Sequence, residues 1–178
     1  MSDGPAVLVV VGGLPASGKS TIAGRLARLV RAPYLRVDRI EQAVVDWSSL
    51  EHPVGAAGYA VAYALATEQL ALGLDVIVEC VNPIALTRDS WAATAAAAGA
   101  TIVEVEVVCS DPVEHRRRVT TRGTDVDGLV KPTWEEIRSR EYQPWDRPHL
   151  VIDSATTSPD RAAEHIATLG GLRTRLAR

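Results

Sequence analysis

Gly13-Leu14-Pro15-Ala16-Ser17-Gly18-Lys19-Ser20 is the stretch on which the reading of this chain turns. It fits Gly-x4-Gly-Lys-Ser, and its surroundings suit that pattern. The apolar run from Ala6 to Val11 before it reads as a buried parallel strand. Thr21 to Val30 after it repeats apolar residues at helical spacing. A glycine loop between strand and helix aligns successive backbone N–H groups at a helix N-terminus, where they can hold phosphate oxygens. Lys19 is expected to reach the β- and γ-phosphates, and the Ser20 hydroxyl to join a Mg²⁺ shell. The chain has two lysines, Lys19 and Lys131, against seventeen arginines. A lysine kept at this position points to a need for a compact ammonium. The competing reading is an ordinary glycine-rich turn.

The rest of the chain sets limits on that reading. Its 178 residues make one domain with room for a buried core. A net charge of -3 offers no general attraction to nucleic acid or to an anionic membrane. No run approaches the length of a membrane span, and the start Met1-Ser2-Asp3-Gly4-Pro5 lacks the basic opening of a signal peptide. The expectation is a cytoplasmic protein. Cys80 and Cys109 both lie in strand-like runs, so buried free thiols are expected rather than a disulfide or metal pair.

Strand and helix patterns alternate throughout, which predicts three layers around a five-stranded parallel sheet with helices on both faces. Strands are expected at 33–37, 76–81, 102–108 and 149–153, after the first at 6–11. Helices are expected at 39–45, 59–72, 86–98, 111–122, 134–141 and 159–169. The alternating Glu104 and Glu106 imply that the fourth strand lies near an edge or is partly covered by polar groups. Residues 111–132 are expected to form a small helical lid, with Asp111 as N-cap and Pro112 at the first helical position. The tail 172–178 is expected to fray. In such a sheet a ligand sits at the carboxyl ends of the strands.

Further candidates gather at that edge. Asp38, after the second strand, can take a proton from a substrate hydroxyl, hold a water of the metal shell, or cap a helix. Glu79 lies within the buried run 76–81, and a carboxylate there is costly unless it meets a cation or donors. It is a candidate for the metal or the substrate, or for an internal bond to Asn82. Asn82-Pro83 can touch substrate or simply turn the chain. Arg88 can bind an anionic acceptor or form a surface pair with Asp89 or Glu68. Arg118 and Arg122, four apart, share a helix face and can meet phosphate together. Arg116 and Arg117 are expected to face water or Glu114.

These residues resemble the motifs of small P-loop kinases: the loop through Thr21, Val37-Asp38-Arg39-Ile40, Val76-Ile77-Val78-Glu79, and Arg118-Val119-x-x-Arg122. That group includes chloramphenicol phosphotransferase, the kinase module of polynucleotide kinase and zeta-type toxins. The resemblance runs from about Val7 to Arg122. It implies a P-loop NTPase fold and ATP with Mg²⁺ as cofactors. Gly13, Leu14, Pro15, Ala16, Ser17, Gly18, Lys19, Ser20 and Thr21 would bind the phosphates, Ser20 would ligate the metal, and Asp38 would activate the acceptor hydroxyl. Arg118 and Arg122 would close over the phosphates. Many relatives carry Asp where this chain has Glu79. The segment 125–148 matches none of the named activities.

The expected function is transfer of the γ-phosphate of ATP to a hydroxyl of a small acceptor, with Asp38, Lys19, Arg118 and Arg122 at the reacting centre. Glu79, Asn82 and Arg88 are candidates for the acceptor side, together with the 47–59 region. Two alternatives stand beside it. One is a nucleotide-binding switch or ATPase without a small acceptor. The other is a polynucleotide 5′-hydroxyl kinase, disfavoured by the negative net charge, the 4% aromatic content and the absence of Phe.

Overall fold

The computed structural model describes residues 4–121, 123, 126 and 128–172. Valine-rich β1 (Val7–Gly12) is buried along its whole length and forms the centre of a five-stranded sheet. It is flanked by β3 (Val76–Glu79) and β4 (Thr101–Val108), with β2 (Tyr34–Arg36) and β5 (Leu150–Asp153) outermost. The order is β2-β3-β1-β4-β5, and every pairing is parallel.

Side chains of a strand alternate between its two faces, and β1 therefore feeds two cores. Val7, Val9 and Val11 pack with Ile22 and Leu26 of α1 (Lys19–Val30) and with Ala162 and Ile166 of α7 (Pro159–Leu169). Leu8 and Val10 pack on the other face. There they meet Val37 of α2 (Val37–Asp46), Ala62 and Ala66 of α3 (Ala57–Ala71) and Trp91 of α4 (Ala85–Ala97). Small residues on α3 and α4 let both helices sit close to the sheet. Trp91 fills the remaining space, edge-on to Tyr63 at 4.3 Å between ring centres.

Two further helices follow β4, α5 (Pro112–Thr121) and the short α6 (Trp134–Ser139). Asp111 caps α5: its Oδ1 accepts from the N–H groups of Val113 (2.9 Å) and Glu114 (3.1 Å). Thr133 and Glu136 form a reciprocal capping box on α6. Arg122 lies outside the described residues, as do 124–125 and 127 of the expected lid and 173–178 of the tail.

The three-layer expectation holds, with differences at element ends. The second strand stops at Arg36, and Val37 and Asp38 already belong to α2. Asp38 is thus not the helix N-cap; Arg36 occupies that position, without a capping side-chain bond. β4 is internal, hydrogen-bonded to β1 and β5. Its glutamates are covered by polar groups: His149 Nε2 lies 3.2 Å from Glu106 Oε2, while burial raises the Glu104 pKa against the pull of Arg147, His149 and Arg88. Cys80 is buried, its thiol pushed up to about 12 by desolvation, but Cys109 is half-exposed.

Candidate active site

The glycine loop crosses the sheet at the carboxyl end of β1. Gly13 has φ 144°, and a Cβ there would lie 2.3 Å from the carbonyl oxygen of Val107 on β4, so only glycine fits. Its N–H donates to the carbonyl of Val81 (3.1 Å). The loop is also held from the far side. His115 Nε2 of α5 lies 2.9 Å from the Pro15 carbonyl oxygen, and Ala16 packs with Val119 of α5 and Ile137 of α6. Ser154, just past β5, donates from Oγ to the Ser17 carbonyl (2.6 Å).

Lys19 and Ser20 open α1 and sit over Glu79, the last residue of β3. Glu79 is only 3% exposed, and a carboxylate buried that deeply needs partners. Ser20 Oγ donates to its Oε1 and the Tyr34 hydroxyl to its Oε2, both at 2.5 Å. Arg36 Nε pairs with Oε2 at 3.0 Å, and Lys19 Nζ stands 3.9 Å from Oε1. The sheet register explains the convergence: Arg36 and Glu79 are directly paired at the carboxyl ends of β2 and β3. The hydrogen bond from Glu79 to Asn82, one of the readings of the sequence, does not form; its oxygens are engaged by the groups around the phosphate loop.

Arg118 points inward from α5. Its Nε donates to Glu114 (2.7 Å), its Nη1 to Ser154 Oγ (2.8 Å) and its Nη2 to the Ser154 carbonyl (3.1 Å). Ser154 thus links Arg118 to the phosphate loop, and the guanidinium is held beside the loop by its neighbours. Arg117 pairs with Glu114 and Arg116 is exposed, as expected for outward positions. The Glu114 carboxyl is held down at about 2 by hydrogen bonds from Arg117 and Arg118.

Pro15, Ala16, Gly18, Tyr34 and Arg36 border one cleft of about 1180 Å³. Lys19, Ser20, Thr21, Arg28 and Arg118 line its loop side. It is lined as well by Asp38 and Glu41 of α2, His52–Gly55 from the α2–α3 connection, Leu129–Pro132, and Arg140 after α6. Asp38 is half-buried. Glu41, one helical turn further on, lies against Gly58 of α3, where a Cβ would come within 2.2 Å of Glu41 Cγ. Burial, and next the charge of Asp38, raise the Glu41 pKa to about 7, with Arg140 partly opposing the rise.

Two expected acceptor residues are elsewhere. Arg88 is fully buried. Its guanidinium donates to the carbonyls of Asn82 (3.4 Å), Pro83 (3.3 Å), Gln143 (2.5 Å) and Pro144 (2.9 Å), and lies 4.5 Å from the Trp145 ring centre. It therefore neither faces the cleft nor forms a surface pair; Asp89 pairs with Arg147 instead. Asn82 is also fully buried, adopts φ 53° and packs beside Gly12, with Trp145 next to them both. Its N–H donates to the Tyr59 hydroxyl at 3.0 Å. Sequence reading missed Tyr34, Arg36, Glu41, His115, Arg140 and Ser154. Arg36 and Ser154 were findable from their places at carboxyl ends of strands, and Glu41 from its three-residue spacing to Asp38.

No curated protein sequence matches this chain. Among solved structures, a proposed kinase from Chloroflexus aurantiacus superposes with a TM-score of 0.76 at 21% identity, over 97% of this chain and 100% of that one. The APS kinase of Mycobacterium tuberculosis, solved with AMPPNP and APS, gives 0.72 at 24% identity, over 93% and 98%. A gluconokinase from Sinorhizobium meliloti gives 0.62 at 18%, over 94% of each chain. At these identities the likeness establishes the P-loop NTPase fold that this chain shares with those kinases. The narrower likeness to chloramphenicol phosphotransferase rests on the sequence motifs alone. A family model described as an AAA domain matches residues 8–144. That span takes in the phosphate loop, Asp38, Glu79 and Arg118, and the chain belongs to the AAA domain family.

Proposed function

We propose that this protein is a phosphotransferase that moves the γ-phosphate of a nucleoside triphosphate, with ATP as donor, to a hydroxyl of a small acceptor. One observation carries the reading: Asp38 lines the same cleft as Lys19, Ser20 and Arg118. A nucleotide-binding loop alone serves hydrolysis or switching as well as transfer. A half-buried carboxylate in the same cleft is what transfer to a hydroxyl requires. Solved proteins of the same fold include an APS kinase and a gluconokinase, which supports a small acceptor.

Backbone N–H groups of the loop hold the phosphates, and Lys19 supplies a compact charge beside them. The acceptor oxygen attacks the γ-phosphorus in line, the bond to the β–γ bridging oxygen breaks, and ADP leaves with that electron pair. Asp38 takes the acceptor's proton. Arg118, held by Glu114 and Ser154, stabilises charge on the equatorial oxygens without having to reorganise.

The donor set at Ser20 fits a small hard cation such as Mg²⁺, because hydroxyl and carboxylate oxygens lie together at the loop. The Ser20 hydroxyl donates its hydrogen bond to Glu79 and so keeps its lone pairs available to hold the ion. Glu79 acts through Ser20, with Tyr34 and Arg36 occupying its other oxygen. Asp38 is the second residue able to hold a water of the metal shell. Bound there, the ion would neutralise charge on the β- and γ-phosphates. A cytoplasmic setting accords with this chemistry; among the described residues no helix is long and apolar enough to cross a membrane.

The test is ADP release across a panel of hydroxylated acceptors, with Lys19→Ala as the control. Acceptor-dependent release that Lys19→Ala abolishes and Asp38→Asn reduces by about 10²-fold or more is the expected result. Turnover indifferent to every acceptor, or full transfer by Asp38→Asn, would overturn it.

A further inference from the structure

We propose that Glu41 is an acceptor-binding residue, and that the acceptor is a neutral molecule with two adjacent hydroxyls, of the sugar, nucleoside or cyclitol kind. This rests on the phosphotransferase reading above and adds the substrate class.

Three observations converge. First, Asp38 and Glu41 are one turn apart on α2, so their side chains are neighbours on one helix face, and both line the cleft. Second, Glu41 is built into its place: the missing side chain at Gly58 leaves the space its Cγ and Oε1 occupy. Third, its carboxyl is uncommitted. Glu79, buried and bonded to Ser20, has both oxygens engaged, whereas no described residue makes a hydrogen bond to Glu41. A half-buried carboxyl without a hydrogen-bonding partner is an unmet demand for donors.

The surrounding groups narrow what can meet that demand. His52 and the apolar Val54 and Leu129 also line the acceptor side, and Lys131 and Arg140 stand at its exposed rim. A carboxylate or phosphate seated directly against Asp38 and Glu41 would bring a third acidic group to that pair. An ammonium would meet Lys131 and Arg140 at the entrance. A neutral diol avoids both costs. One hydroxyl gives its proton to Asp38 as it attacks the γ-phosphorus. The adjacent hydroxyl donates to Glu41, which forms and breaks no covalent bond and sets the orientation of the first.

The experiment uses the full chain with Mg·ATP and pairs of acceptors, each diol beside the analogue lacking the hydroxyl next to the phosphorylated one. Wild type is expected to prefer the diol by roughly 10- to 100-fold in kcat/KM, the range for a hydrogen bond to a charged group. Glu41→Gln and Glu41→Ala should raise the KM for the diol by about tenfold or more, with a much smaller fall in kcat, and Glu41→Ala should bring the two acceptors close to parity. Glu41→Gln keeps the volume, and its unfolding temperature checks that the protein is folded. An unchanged diol preference in Glu41→Ala overturns the proposal, and so does Lys19-dependent turnover confined to acids, amines or simple alcohols. If no acceptor gives Lys19-dependent ADP release, the phosphotransferase reading fails by itself. Calorimetry with a neutral polyol then reads the site directly. Binding weakened tenfold or more by Glu41→Ala sustains the acceptor class; equal binding, or none to wild type, removes it.

Discussion

Arg116 and Arg118 are two positions apart, of one residue type, and do opposite things. Arg118 is tied to Glu114 and Ser154 beside the phosphate loop, while Arg116 faces outward. Replacing each by alanine in steady-state assays of nucleotide turnover should therefore separate them. Arg118→Ala is expected to lower kcat/KM by about 10²-fold or more, since it removes preorganised stabilisation of transition-state charge. Arg116→Ala should change it by less than about threefold. The reverse order would remove Arg118 from the mechanism. Glu41 bears on stability as well. Its pKa rises from the ordinary 4.5 to about 7 on folding, so between those values the folded state binds the proton more tightly than the unfolded chain. Stability due to this group is present below about pH 4.5 and is lost as pH rises through 7. Glu41→Gln removes that loss. Its melting temperature relative to wild type should increase steadily from pH 4.5 to 7.5, and a constant difference would contradict the burial of Glu41.

At the scale of elements, the stretch after α6 is held by a buried cation. Arg88 of α4 binds four carbonyl oxygens, two of them from Gln143 and Pro144, and the Gln143 N–H donates to the Pro83 carbonyl (2.8 Å). Trp145 covers the guanidinium and stacks on His149 at 4.3 Å between ring centres. Removing Arg88 takes a donor from each of these carbonyls, that of the buried Asn82 among them, and leaves a void under Trp145. Arg88→Ala should cost on the order of 3 kcal/mol or more in chemical denaturation. It should also speed proteolysis within 140–149, because loss of that buried tie leaves the stretch held to α4 by the Ala85–Gln143 hydrogen bond and the Asp89–Arg147 pair at the surface. A loss below about 1 kcal/mol with unchanged cleavage would show that the segment holds itself. A second device of this kind anchors α5. His115, Ala16 and the Ser154 link hold the described part of the helix against the phosphate loop.

For the molecule as a whole, the buried Lys19 makes nucleotide binding and stability two readings of one event. A non-hydrolysable triphosphate with Mg²⁺ at about 100 times its Kd should stabilise the fold by about 2.7 kcal/mol. In a chain of this size that raises Tm by roughly 5–10 °C, and Lys19→Ala should abolish most of the shift without changing the fold. An undiminished shift in Lys19→Ala would place the nucleotide elsewhere.

Local pattern was sufficient for much of this. The apolar run before Gly13, the helical spacing after Lys19 and the recurring strand–helix alternation specified a parallel three-layer sheet and the phosphate loop, because each depends on neighbours in the chain and on hydrophobic period. Asp38 and Arg118 were legible as candidates for the same reason: each follows a recognisable local signal. What those signals could not carry was distance between residues far apart in sequence. Nothing near Glu79 shows that Tyr34 and Arg36 converge on it, since that follows from the register of β2 against β3. Nothing near Arg88 shows that it is buried; the carbonyls of Gln143 and Pro144, more than fifty residues on, take its charge inward. Glu41 depends on a glycine in another helix. Strand and helix arise from short-range periodicity and could be read from the chain. Which buried charges find partners, and which carboxyl packs against a glycine of another helix, is set by long-range packing and emerged only in the tertiary structure.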